Sequence, residues 1–172
     1  MSDKIHRIIL TMAITVKNVK IHDELSEETL CFSASVYFNG KRVGVATNRG
    51  RGGCNDYDWL EQETGREIHE WANAQKLTYT NWEGEEAEVT FEKLDHIVTN
   101  LVTEFEEKQW FKKKCKTSIL FVREGDAEGS YGVLPHKGRL EAHLNYIKGE
   151  AEKEKIKQII YLRDNEVVFE DL

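Results

Sequence analysis

Proline is almost missing from this chain, with one residue in 172. That excludes a proline-rich linker or recognition tract. Cysteine is scarce and poorly placed for metal or redox work. Cys31, Cys54 and Cys115 make an odd number with no CxxC pair. Such spacing predicts free thiols in a reducing compartment, and so a cytoplasmic protein. No run approaches the ~20 apolar residues of a membrane span, and the N-terminal apolar stretch is too short for a signal peptide. No membrane association is expected. The catalytic signatures are missing as well. There is no GxSxG, no P-loop, no GxGxxG and no HExxH, because His69-Glu70 lacks the second histidine. No catalytic residue, cofactor or metal site is therefore assigned, and an enzyme is the less favoured class.

What is present is an ordinary globular balance, 40% apolar and 32% charged. A chain of this length buries roughly 70% of its unfolded surface and needs no disulfide or metal to fold. One domain over 1–172 is expected, with a β-rich lobe at 1–60 and a mixed lobe at 61–172 as an option within it. The net charge of −7 is uneven. Residues 61–111 hold 4 basic and 13 acidic side chains, more than the whole imbalance. Glu85, Glu86, Glu104, Glu106 and Glu107 are the candidate acidic interaction face, suited to a basic partner. The alternative is a solvated face that keeps the protein soluble.

Periodicity predicts the elements. Residues 8–16 alternate as a strand, which Val19 and Ile21 prolong past a bend at Lys17-Asn18. Residues 30–38 alternate most clearly, with Leu30, Phe32, Ala34, Val36 and Phe38 on one face. Asn39-Gly40 follows, a type I′ hairpin signal. Residues 41–48 return with Val43, Val45 and Thr47 on one face. Tyr57, Trp59 and Leu60 open an amphipathic stretch that continues through Ile68, Trp71 and Ala72, with Gly65 expected to break or bend it. Thr90 reads as the N-cap of the longest helix. Its stripe is Phe91, Leu94, Val98, Leu101 and Phe105, widened by Ile97 and Val102. A strand at 118–122 is followed by a returning segment at 131–134. A short helix ends near Gly149, with a second helical piece at 151–157. A final hairpin turns at Asp164-Asn165. The fold class is α+β: an N-terminal three-stranded antiparallel meander packed against a long helix, with a C-terminal hairpin.

One stretch stands apart. Residues 48–55 place three glycines and two arginines together in a chain with only twelve glycines. Arg49, Gly50, Arg51, Gly52, Gly53 and Asn55 are the candidate anion- or partner-binding set. Glycine backbone amides converge on anions, arginine adds bidentate charge, and a helix starting just beyond would add its dipole. Against this, Asp56 and Asp58 follow closely. The competing account is a loop whose glycines need positive φ and whose arginines sit in solvent. The arginines also raise the option of a Cys54 thiol with lowered pKa, paired with a distant histidine.

The segment 32–53 carries Phe32-x-Ala34-x-x-Tyr37-x-x-Gly40-Lys41 and then Asn48-x-Gly50-x-Gly52-Gly53. It resembles a pattern in small uncharacterised proteins of phages and bacterial mobile elements. Ser118-Ile119-Leu120-Phe121 is similar to a second segment of that group. The resemblance covers a minor part of the chain and implies a genomic setting. Two classes of function stay open. One is a small phage-type binding or inhibitor protein, in the host cytoplasm, acting on a host or defence protein. The other is an enzyme or module that takes a phosphate-bearing ligand or nucleic acid at the Gly/Arg loop.

Overall fold

A computed structural model of the chain describes residues 13–80 and 84–172. The chain divides into two compact units, Met1–Phe105 and Glu106–Leu172. The optional division after residue 60 lies inside the first unit.

In the first unit, strands β1 (Ile14–Ile21), β2 (Phe32–Phe38), β3 (Lys41–Asn48) and β4 (Asp56–Trp59) form one antiparallel sheet in the order β1-β2-β3-β4. The expected first strand falls partly on residues 8–12, outside the described residues. Its described part crosses the expected bend, where Asn18 takes φ 53° and the register with β2 shifts between Lys17 and Lys20. The β2–β3 turn has φ 47° at Asn39 and 80° at Gly40, the positive pair that a type I′ turn requires.

The inward face of β3 differs from expectation. The register with β2 shifts between Val36 and Tyr37, which leaves Val43 as an extra residue. Such a bulge exchanges the two faces beyond it. Gly44, Ala46 and Asn48, opposite Val36, Ala34 and Phe32, are therefore buried, while Val45 and Thr47 are only half-buried.

The chain beyond the glycine loop is also not the start of a helix. Tyr57 and Trp59 belong to β4, an edge strand paired to β3, and helix α1 (Gln62–Asn73) begins later. Gly65 does not break α1, which runs through it. It is buried, and a Cβ there would lie 2.5 Å from Cδ1 of Trp59, so the glycine makes room for that indole. A short hairpin follows, β5 (Thr78–Thr80) against β6 (Glu86–Glu88). Trp82 and Glu83 lie outside the described residues.

Helix α2 (Lys93–Cys115) starts three residues after the expected Thr90 cap. Glu92 takes φ 52°, and this left-handed residue stops the helix from extending backwards. Phe91 is thus left outside the helix and 70% exposed, not in the core stripe. Leu94, Ile97, Val98 and Val102 carry that stripe, packed with Phe32, Val36, Ile68 and Ala72 in one core, with Leu101 half-buried at its margin.

The second unit holds β7 (Ser118–Arg123), β8 (Gly132–Pro135), α3 (Leu140–Glu154), β9 (Ile156–Arg163) and β10 (Glu166–Asp171), with sheet order β10-β9-β7-β8. α3 passes through Gly149 where a break was expected. A Cβ at Gly149 would meet nothing, so the glycine costs only its helix propensity of about 1 kcal/mol. Leu144, Ile147 and Ala151 keep one apolar stripe across it. The helix ends at Lys155, in a left-handed C-cap of φ 53°. The last hairpin turns on Asp164 and Asn165, at φ 51° and 63°.

Leu94→Ala, at a 2% exposed core position, should cost about 2–5 kcal/mol in urea unfolding. Phe91→Ser should stay within about 0.5 kcal/mol of the parent. Equal losses for the two would overturn this placement of the helix start.

Candidate functional site

Amides of the Gly/Arg loop are already bonded to side chains of the loop and its neighbours. Asn48 is buried, and its Oδ1 accepts the Gly50 N–H at 2.9 Å and the Thr29 hydroxyl at 2.8 Å. Its Nδ2 donates to Gly53 O at 3.3 Å and to Asn55 Oδ1 at 3.0 Å. The Gly52 N–H donates to Thr29 Oγ1 at 3.3 Å, and the Asn55 N–H to Asp95 Oδ2 at 2.7 Å. Three of the amides that an anion cradle would use are thereby taken. The loop carbonyl at Gly50 accepts from the N–H groups of Glu27, Glu28 and Thr29. Gly50 itself has φ 79°, and a Cβ there would lie 2.2 Å from Leu25 O. The glycine is set by close packing against the 22–31 segment.

The arginines are held loosely. Arg49 Nε lies 3.5 Å from Asp56 Oδ2, with both side chains well exposed. A pair of that kind contributes little. Arg51 is exposed and forms no ion pair among the described residues. The helix dipole expected behind the loop is not there, because β4 follows it.

The acidic residues do not share one surface element. Glu85 and Glu86 lie on the β5–β6 hairpin, with Glu86 accepting from the Thr78 hydroxyl at 2.8 Å. Glu104, Glu106 and Glu107 are on α2. At about 100° per residue, Glu106 projects some 160° around the axis from Glu104.

The residues the fold does bring together are others. Cys54, Asn55, Tyr57, His69, Asn73, Glu92, Lys93, Leu94 and Asp95 line a cleft of about 320 Å³ in the first unit. Asp95, in the first turn of α2, accepts the Asn55 N–H through Oδ2 and the Tyr57 hydroxyl through Oδ1, each at 2.7 Å. Tyr57 stacks on Trp59 with centroids 5.1 Å apart, and His69 meets both rings edge-on. Burial, reinforced by the Asp95 carboxylate, pushes the Tyr57 hydroxyl far above its usual range, so it remains a donor. Lys93 Nζ donates to the carbonyls of Asn73 at 3.2 Å and Gln75 at 2.6 Å, engaging carbonyls at the C-terminal end of α1.

Cys54 is exposed, and its Sγ–H donates to Glu92 Oε1 at 2.9 Å. That hydrogen bond, with the Glu92 and Asp95 charges, raises the thiol pKa. Glu92, not Arg49 or Arg51, is the charged group bonded to the thiol, which runs against the option of a lowered Cys54 pKa. His136 is buried, and its Nδ1 accepts the Gly138 N–H at 3.2 Å, while His143 Nδ1 lies 2.8 Å from Arg139 O. Both serve local structure. Sequence spacing gave no sign of the Cys54–Glu92–Asp95 cluster, because its members are 38 and 41 positions from the cysteine and only packing joins them.

Two outcomes check this account. Gly50→Ala should lower the melting temperature by several degrees, whereas the Arg49→Ala, Arg51→Ala pair should melt as the parent does. In chelator-containing buffer, Glu92→Gln should shift the pH midpoint of Cys54 alkylation downwards, because it removes the carboxylate that holds the thiol protonated. Cys31 and Cys115 are buried, so the alkylation rate reports Cys54. An unchanged midpoint would show that Glu92 does not govern the thiol.

No protein-family model, no curated protein and no solved structure matches this chain.

Proposed function

We propose that this is a non-enzymatic binding protein whose second unit engages a protein partner through an open aromatic face. Strand register places Val133, Leu120, Ile160 and Phe169 in one row across the second sheet. Phe111 and Cys115 of α2 pack on the middle of that row, where Leu120 and Ile160 are fully buried. The ends of the row stay open, with Val133 57% and Phe169 53% exposed, and Trp110 is 41% exposed.

The observation that carries the reading is contiguity. Phe111 contacts Trp110, Tyr131 and Phe169 at centroid distances of 5.1, 5.4 and 5.3 Å, and Trp110 lies 5.7 Å from Tyr131. Scattered apolar side chains on a surface are ordinary, but rings joined into one patch mark contact surfaces, where tryptophan and tyrosine dominate the energetics. Lysines 112, 113, 114 and 116 cluster at the end of α2, and Lys114 Nζ lies 5.6 Å from the Trp110 ring. The partner surface that fits is apolar with carboxylates around it.

The same geometry disfavours the phosphate-ligand alternative, since the loop amides at Gly50, Gly52 and Asn55 already have acceptors. The Cys54 thiol, hydrogen-bonded to the Glu92 carboxylate, likewise does not favour a nucleophilic role. The resemblance of 32–53 to phage and mobile-element proteins makes a host or defence component the first partner class to screen.

Affinity capture with the full chain, under nuclease treatment, compares three forms. The wild type and the Arg49→Ala, Arg51→Ala pair should retain the same protein partner. The Trp110→Ala, Phe169→Ser pair should lose it by at least about tenfold while keeping its circular dichroism spectrum. Dependence on the arginines instead, or on nucleic acid, overturns the reading.

A further inference from the structure

The cleft of the first unit contains a donor set that the binding reading does not use. Cys54 Sγ, a Glu92 carboxylate oxygen and an Asp95 carboxylate oxygen all lie within 4.8 Å of one another. They come from three places: the exit of the Gly/Arg loop, the residue before α2, and the first turn of α2. We propose that Cys54, Glu92 and Asp95 form a site for a zinc-class divalent cation.

The chemistry of the donors selects the ion class. Magnesium and calcium take oxygen ligands alone, whereas a thiolate beside carboxylates suits Zn²⁺ or its softer analogue Cd²⁺. Zinc–sulfur and zinc–oxygen bonds of about 2.3 and 2.0 Å put tetrahedral neighbours roughly 3.5 Å apart. Exposed Cys54 and Glu92 can close in by the remaining ångström or so through side-chain rotation. On binding, the Cys54 S–H bond breaks. Its proton, now shared with Glu92 Oε1, goes to solvent, and the sulfur lone pair binds the metal.

Two further features fit a metal centre. Asp95 is held by groups outside the donor set, the Asn55 N–H on Oδ2 and the Tyr57 hydroxyl on Oδ1. Outer hydrogen bonds of this kind orient metal-binding carboxylates. His69 lines the same cleft but lies outside the 4.8 Å donor group, so the fourth position of a tetrahedral zinc falls to water. The neighbouring cation, Lys93, is engaged by the carbonyls of Asn73 and Gln75. This inference stands apart from the proposed partner surface, which belongs to the other unit.

The test titrates the chelator-stripped full chain with Cd²⁺, followed by its sulfur-to-metal ultraviolet band, and with Zn²⁺ by calorimetry. Mg²⁺ and Ca²⁺ serve as controls. The wild type should bind one equivalent of Cd²⁺ and of Zn²⁺, with the band present, and neither control ion in the same range. Cys54→Ser, at an exposed position, should fold normally and lose the band. Glu92→Gln and Asp95→Asn should each weaken Zn²⁺ binding by more than tenfold. Tyr57→Phe, which removes only the outer hydrogen bond, should weaken it by about 10-fold. A band that survives Cys54→Ser would place the metal on another thiol. Affinity unchanged by both carboxylate variants, or no binding at all, would equally overturn the proposal.

Discussion

The Asp95 carboxylate holds the working end of the first unit together. It accepts one hydrogen bond from the backbone where the Gly/Arg loop ends and another from the Tyr57 hydroxyl on β4, both at 2.7 Å. Bonds to a charged acceptor are stronger than neutral ones, at about 1.5–3 kcal/mol each. A carboxylate in the first turn of a helix is also favoured by the helix dipole. One side chain thus fixes the sheet's last strand against the start of α2. Tyr57, held this way, stacks on Trp59. Trp59 in turn occupies space left by two glycines, since a Cβ at Gly44 or Gly65 would come within 3 Å of its ring. The cleft exists because these contacts hold its walls in place.

The Gly/Arg loop owes its shape to the same economy. Asn48 is buried at the end of β3 and satisfies four partners within the loop and its neighbours. A buried amide of this kind carries a penalty unless its donors and acceptors are paired. The glycines let the backbone pass close to the 22–31 segment, and the arginines extend from it into solvent. The loop is therefore a structural clasp. Its chemical consequence is to deliver Cys54 beside Glu92.

The two units carry different surface chemistry. Residues 106–172 hold 13 basic and 13 acidic side chains, so the full net charge of −7 belongs to residues 1–105. The Cys54, Glu92 and Asp95 donors lie in the acidic unit, and the joined rings of Trp110, Phe111, Tyr131 and Phe169 lie in the neutral one. Among the described residues, no helix is long and apolar enough to cross a membrane.

Local pattern was enough for most of the elements. Alternation at 32–38, the Asn39-Gly40 and Asp164-Asn165 turns, and the Leu94 to Val102 part of the α2 stripe depend on neighbours in the chain, and these appear where the residues place them, whereas Phe91 and Phe105 fall outside the core cluster. The elements that departed from local pattern did so for reasons of space and register. A bulge at Val43 turned the faces of β3 over. Gly65 stayed helical because Trp59 needed its room, and Gly149 because it faced open solvent. The left-handed Glu92 moved the start of α2 and expelled Phe91. The site lay wholly beyond local reading, since Cys54 meets Glu92 and Asp95 across some forty residues. Proximity of that kind comes from how β4 and α2 pack, and residue spacing does not encode it.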